Sequence, residues 1–124
     1  MILVDTSVWI NHFRVGDPKL AALLQDSYVL AHPWVIGELA LGQLSQRTEI
    51  LGLLHNLPQA NVATDAEVLK LIESRHLFGL GIGYVDAQLL AATMLTAGAG
   101  LWTRDKRLAA VAAEFGLTNP APKP

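Results

Sequence analysis

Short branched apolar runs alternate along this chain with longer stretches at helical spacing, and that alternation confines the fold to a parallel sheet covered by helices. Ile2-Leu3-Val4 is a continuous apolar run that ends on an acid, and the hydroxyls of Thr6-Ser7 suit the cap of a helix running on through Val8-Trp9-Ile10. Residues 28–31, 61–63 and 101–103 predict three further strands. Asp17-Pro18 pairs a cap with a proline at the first helical position, and Leu20, Leu23 and Leu24 repeat at helical spacing as far as Gln25. Residues 34–44 predict a helix apolar almost all round and therefore buried on most faces. Residues 48–57, a segment opened by Thr64-Asp65-Ala66-Glu67 with a capping signature, residues 84–97 and residues 104–115 predict the remaining helices. Strands alternating with helices pair in parallel through right-handed crossovers, so the expected class is an α/β sandwich with helices on both faces of the sheet.

The 124 residues are expected to form one domain, 1–124, with the proline-rich segment 119–124 as a frayed tail. With 52% apolar and 16% charged residues, a core forms without help from a disulfide or a structural metal. The absence of cysteine excludes disulfides, zinc–thiolate sites, iron–sulfur clusters and a thiol nucleophile. The longest uncharged run, residues 87–103, is short of the ~20 predominantly apolar residues of a spanning helix. Met1-Ile2-Leu3-Val4-Asp5 lacks the basic region that opens a signal peptide, so a cytoplasmic location is expected. His12, His32, His55 and His76 show no ligand spacing. Gly79, Gly81 and Gly83 match no phosphate-binding fingerprint and read as a flexible lead-in to Asp86.

Four of the eleven acids stand where burial logic does not want them. Asp5 ends an apolar strand, and Glu38 sits inside Trp34-Val35-Ile36-Gly37-Glu38-Leu39-Ala40-Leu41. Asp86 shares a helical face with Leu89, Leu90, Thr93 and Met94, and Asp105 follows the strand Leu101-Trp102-Thr103. Each has a structural reading: Asp5 or Ser7, Asp86 and Asp105 as helix caps, Glu38 as the partner of a buried Arg. Only nine Lys and Arg exist, however, and few lie in the apolar segments. A hard divalent cation with oxygen ligands is the economical partner for four such carboxylates.

Ile2-Leu3-Val4-Asp5-Thr6-Ser7, the isolated Glu38, Tyr84-Val85-Asp86-Ala87-Gln88-Leu89-Leu90-Ala91-Ala92 and Leu101-Trp102-Thr103-Arg104-Asp105, in that order, resemble the PIN-domain ribonucleases, specifically the VapC toxins of bacterial toxin–antitoxin pairs. The likeness spans the first strand to the last helix. It implies a three-layer sandwich with a parallel sheet of four to five strands, and an acidic quartet of Asp5, Glu38, Asp86 and Asp105 converging in one pocket. Ser7 and Thr103, with Thr6, match supporting polar positions. It also implies Mg²⁺- or Mn²⁺-dependent endonucleolytic cleavage of RNA, with one or two ions per site, leaving a 5′-phosphate and a 3′-hydroxyl. A cognate VapB-type antitoxin and a homodimer are the implied protein partners.

A net charge of −2 argues against a nucleic-acid partner until those four acids are neutralised by metal; the basic residues then outnumber the remaining acids. Arg104, Lys106 and Arg107 flank Asp105 and are candidate phosphate contacts, as is Arg14, although the first three also suit the solvated start of a helix. Trp9, Trp34 and Trp102 read as core positions, with base stacking as the other use of such rings. A phosphotransfer receiver domain needs an acceptor Asp near the middle of the chain, and none lies between Asp26 and Asp65. A haloacid-dehalogenase-type phosphatase needs a second Asp where Ser7 stands. A PIN-like fold that binds RNA or a protein without cutting is the remaining alternative.

Overall fold

The computed structural model describes residues 1–118, so the expected tail at 119–124 lies outside the described residues. Within them, three short strands and seven helices run in the order β1 (Ile2–Val4), α1 (Thr6–Val15), α2 (Pro18–Gln25), β2 (Val29–Leu30), α3 (Pro33–Ala40), α4 (Arg47–Asn56), α5 (Asp65–Ser74), α6 (Tyr84–Leu95), β3 (Gly100–Trp102) and α7 (Lys106–Glu114). The sheet order is β2-β1-β3 and both pairings are parallel, with Leu3 opposite Leu30 and Leu101. The expected four to five strands are three, each edge extended by a single bridged residue: Ala31 with Gln59 and Leu101 with Thr118. No helix among the described residues is long and apolar enough to cross a membrane.

Parallel strands buried between helices read as continuous apolar runs, and all eight strand positions except Trp102 are buried. Leu3, Val4, Val8, Leu20, Leu89, Leu90 and Leu108 are fully enclosed and join the sheet to α1, α2, α6 and α7. The caps form as their spacing predicts. Asp17 Oδ1 accepts from the Lys19 and Leu20 amides, and Thr64 and Glu67 form a reciprocal capping box at the start of α5. Each such cap stabilises its helix by about 1 kcal/mol.

Two expectations fail. Residues 61–63 form no strand, because the chain meets the sheet two residues earlier: the Ala31 amide donates to Pro58 O and the Ala60 amide to Ala31 O. Asn61 turns to the end of α6 instead, where its side chain donates to Leu95 O and its amide to Thr96 Oγ1. The helix expected over 34–44 stops at Ala40, and only Val35, Ile36 and Leu39 are buried along it. Trp34 and Glu38 are exposed, because the packing of α3 against α1 and α4 covers Val35, Ile36 and Leu39 and leaves these two uncovered.

Candidate active site

β1 lies between its two neighbours, and the chain leaves it toward β2 on one side and returns to β3 on the other. The carboxyl end of such a strand is the topological switch point of an open α/β sheet, where loops diverge and leave a crevice. Asp5 occupies that position and is 7% exposed. Its amide donates to Trp102 O, which continues the β1–β3 ladder by one bond. Its Oδ1 caps α1 by accepting from the Thr6 amide at 2.8 Å, while Oδ2 accepts from Ser7 Oγ at 2.8 Å and Thr103 Oγ1 at 2.6 Å. Ser7 Oγ in turn accepts from the Arg104 amide, and Thr103 Oγ1 from the Asp105 amide. The hydroxyls that the sequence marks as supporting therefore tie the end of β3 to the end of β1 around a single carboxylate.

The other three acids arrive from different elements. Glu38 projects from α3, and its Oε1 accepts the Thr6 hydroxyl at 2.6 Å. Asp86 lies in the first turn of α6, with Oδ2 accepting from the Gly83 amide at 2.9 Å. Asp105 caps α7 through Oδ1, which accepts from the Arg107 and Leu108 amides. The capping readings of Asp5, Asp86 and Asp105 thus hold: one oxygen fixes a helix start, and the second oxygens of Asp86, Glu38 and Asp105 make no hydrogen bond to any described residue. The burial argument holds for Asp5 and in part for Asp86, but Glu38 and Asp105 are exposed. No buried Arg pairs with Glu38; its partner is Thr6.

The electrostatics show that these groups feel one another. Burial holds the Asp86 carboxyl above the ordinary carboxylate range; the Gly83 amide opposes that rise, and the charges of Asp5, Asp105 and Glu38 add to it. No Lys or Arg forms an ion pair with any of the four among the described residues. Three of the carboxylates stand at helix N-termini, whose partial positive charge offsets part of the repulsion. Among the described residues no three acidic or histidine side chains close on one point tightly enough to cage an ion. By donor chemistry alone, four carboxylates, three of them with an oxygen that makes no hydrogen bond among the described residues, are of the kind a hard divalent cation takes.

Arg104, Lys106 and Arg107 are exposed just after β3, on either side of Asp105. Arg107 lies over the glycine loop, where a Cβ on Gly81 would stand 2.7 Å from its Nη1 and 2.8 Å from its Cδ. Gly81 has φ of +80°, a conformation unfavourable to any side chain. Gly81→Ala is expected to lower the urea midpoint by the equivalent of about 1 kcal/mol. Arg14 lines, with Glu38, a cleft of about 720 Å³ between α1, α3 and the segment at 42–46.

Sequence reasoning missed Asp65 and Gln88. Asp65 accepts the Tyr84 hydroxyl, and Gln88, 2% exposed, donates its amide to both Asp65 and Tyr84 at 3.3 Å. This network fixes the first turn of α6, and with it Asp86, against α5. A glutamine among Leu and Ala on a buried helix was its only sequence signal.

The architecture agrees with what comparison with known proteins finds. The family model described as PIN domain matches residues 2–114. The chain is also 56% identical over 117 residues to a protein named ribonuclease VapC32 from Mycobacterium tuberculosis strain H37Rv, a match covering 94% of each chain. The protein of that name from strain CDC 1551 / Oshkosh gives the same figures. A parallel sheet of order β2-β1-β3 that carries Asp5 at its switch point, in a sequence matched by the PIN model almost throughout, places this chain in the PIN-domain family, among its VapC-type members.

Proposed function

We propose that the VapC-type ribonuclease activity of this chain depends on a divalent cation, Mg²⁺ or Mn²⁺, held among Asp5, Glu38, Asp86 and Asp105, and that the protein is the toxin of a bacterial toxin–antitoxin pair. One observation supports the site assignment: beyond the effect of burial, the charges of Asp5, Asp105 and Glu38 all raise the pKa of Asp86, and among the described residues no Lys or Arg pairs with any of the four. Once bound, one ion or a pair acidifies a water and relieves charge on the phosphodiester. Asp5 and Asp86 are the direct holders, with Glu38 and Asp105 acting through water or at a second position. With no three acidic side chains closing on one point among the described residues, the ion would keep several of its waters, as Mg²⁺ does.

The remaining residues orient these four. Ser7 and Thr103 donate to Asp5 and aim it; Thr6 does the same for Glu38. Arg104, Lys106 and Arg107 offer positive charge to the RNA backbone at the β3 side, and Arg14 does so in the cleft beside Glu38. A VapB-type antitoxin and a second copy of the chain are the protein partners. An apolar cleft of about 340 Å³ between α1, α2 and α4, lined by Trp9, Phe13, Leu24, Ile50, Leu53 and Leu57, supports the presence of such a partner. The location is cytoplasmic.

The test is cleavage of a mixed pool of structured RNAs by the purified protein in Mg²⁺, in Mn²⁺ and with excess EDTA. Cutting with either metal and none with EDTA is expected. Cutting that persists in EDTA would refute the metal assignment, and absence of cutting under every metal would favour a PIN fold used for binding alone.

A further inference from the structure

Trp34 and Tyr84 remain outside the chemistry described above. Trp34 is 39% exposed in the first turn of α3, and Tyr84 is 37% exposed at the start of α6; their ring centroids lie 5.9 Å apart with the planes inclined by 60°. Trp34 precedes Glu38 by one helical turn, and Tyr84 opens the turn that carries Asp86, so the pair borders two of the four carboxylates. Large aromatic rings dominate core energetics, and here two are left partly in water. Tyr84 is tethered through its hydroxyl, which donates to Asp65 and receives the Gln88 amide, and its ring stands against Trp34.

The sheet order sets what lies opposite. The cations Arg104, Lys106 and Arg107 follow β3, Trp34 follows β2, and Asp5 follows the strand between them. Two strand spacings amount to roughly 10 Å, within reach of neighbouring nucleotides of one RNA strand. A chain whose phosphates meet the basic side would cross the carboxylates and present a base to the aromatic side. Every nucleobase has a flat face that stacks on such a ring, but only an unpaired, splayed base can offer it to a protein.

We propose that Trp34, backed by Tyr84, is a stacking platform for an unpaired base next to the cleaved phosphate, which makes it a specificity-determining residue for single-stranded or looped RNA. The proposal rests on the nuclease reading given above. It is tested with the full chain in two measurements. In EDTA, where the metal-dependent reaction does not proceed, a six-nucleotide single-stranded RNA is expected to quench tryptophan emission, the same sequence as a duplex is not, and Trp34→Leu removes the quenching. In Mg²⁺ or Mn²⁺, Trp34→Leu raises KM about tenfold with little change in kcat, and Trp34→Phe restores most of the loss. Rescue by a ring and not by an aliphatic chain of similar bulk distinguishes stacking from a packing role.

Three results would overturn the proposal: no quenching of the wild-type chain by single-stranded RNA, an unchanged KM in Trp34→Leu, or a Trp34 already shielded from acrylamide in the free protein by a second copy. The wild-type quenching needs no variant to fold and no cleavage to occur. A protein that cuts without quenching therefore refutes the platform alone, and one that quenches without cutting supports the platform and refutes the nuclease reading.

Discussion

Asp86→Asn is expected to abolish RNA cleavage, by at least ~10³-fold, and at the same time to raise the melting temperature of the metal-free protein. The first effect follows from the proposed metal site: the variant removes a carboxylate that would hold the cation, whose polarisation of the phosphate would contribute several kcal/mol to transition-state stabilisation. The second follows from the state of Asp86 in the metal-free fold. Its pKa is raised, by burial first and then by Asp5, Asp105 and Glu38. A carboxyl whose folded pKa lies above its unfolded value contributes stability at low pH that is lost as pH rises through the folded value, so at neutral pH its charge works against the fold. Asparagine keeps an oxygen to accept from the Gly83 amide and lacks the charge. Each kcal/mol of repulsion so removed raises Tm by about 4 °C in a domain of this size. Adding Mn²⁺ should reverse the order, stabilising the wild-type chain more than the variant. Calorimetry with and without metal, beside a cleavage assay, checks both signs, and a variant less stable than wild type without metal would contradict the account.

Acid lability with His32 as its largest single source is the second expectation. His32 is fully buried; its Nδ1 accepts from the Trp34 amide and caps α3, and its Nε2 has no partner. Accepting at Nδ1 requires the neutral ring with its proton on Nε2, and burial lowers its pKa from 6.5 to about 4. Between those two values the unfolded chain binds a proton that the native chain refuses, so stability falls as pH drops from 6.5 toward 4 and this loss ends below about 4. At 1.36 kcal/mol per pH unit the full loss is about 3 kcal/mol. His32→Asn retains a capping oxygen and cannot titrate. Its urea midpoint should therefore fall less steeply than that of the wild-type chain between pH 7 and pH 4; equal slopes would show that His32 is not the source.

These two residues mark the reach of sequence reasoning. Asp86 was legible because its neighbours at three, four, seven and eight residues along the helix are predominantly apolar, which places the acid beside a core face without any knowledge of the fold. Asp5 and Asp105 were legible because each follows a short apolar strand. His32 was passed over, because the spacing rules for metal ligands ignore an isolated ring, and its role comes from a backbone amide two residues on. The exposure of Glu38 was also hidden. An apolar helix shows that it can be buried, and which side its neighbours leave open depends on the packing of α1 and α4. The Asp65–Tyr84–Gln88 network was out of reach for a related reason: it joins two helices that only the folded chain brings together. The strand expected at 61–63 was lost to a local competition, in which Asn61 serves the end of α6 and Gln59 takes the place at the sheet edge.

The hydroxyl of Thr103 reaches Asp5 across 98 residues of chain, and this has a consequence for how the molecule is made. β1 is made well before β3 and must wait for it before it is flanked on both sides, and parallel pairings of such long range form late because the intervening loop must close first. A nascent chain stalled between Glu38 and β3 holds Asp5 and Glu38 but lacks both Thr103, which donates to Asp5, and Asp105. On the proposed site, the order of synthesis would withhold cutting activity from any nascent chain that stops before β3, a useful property for a nuclease made among the RNAs that are translating it.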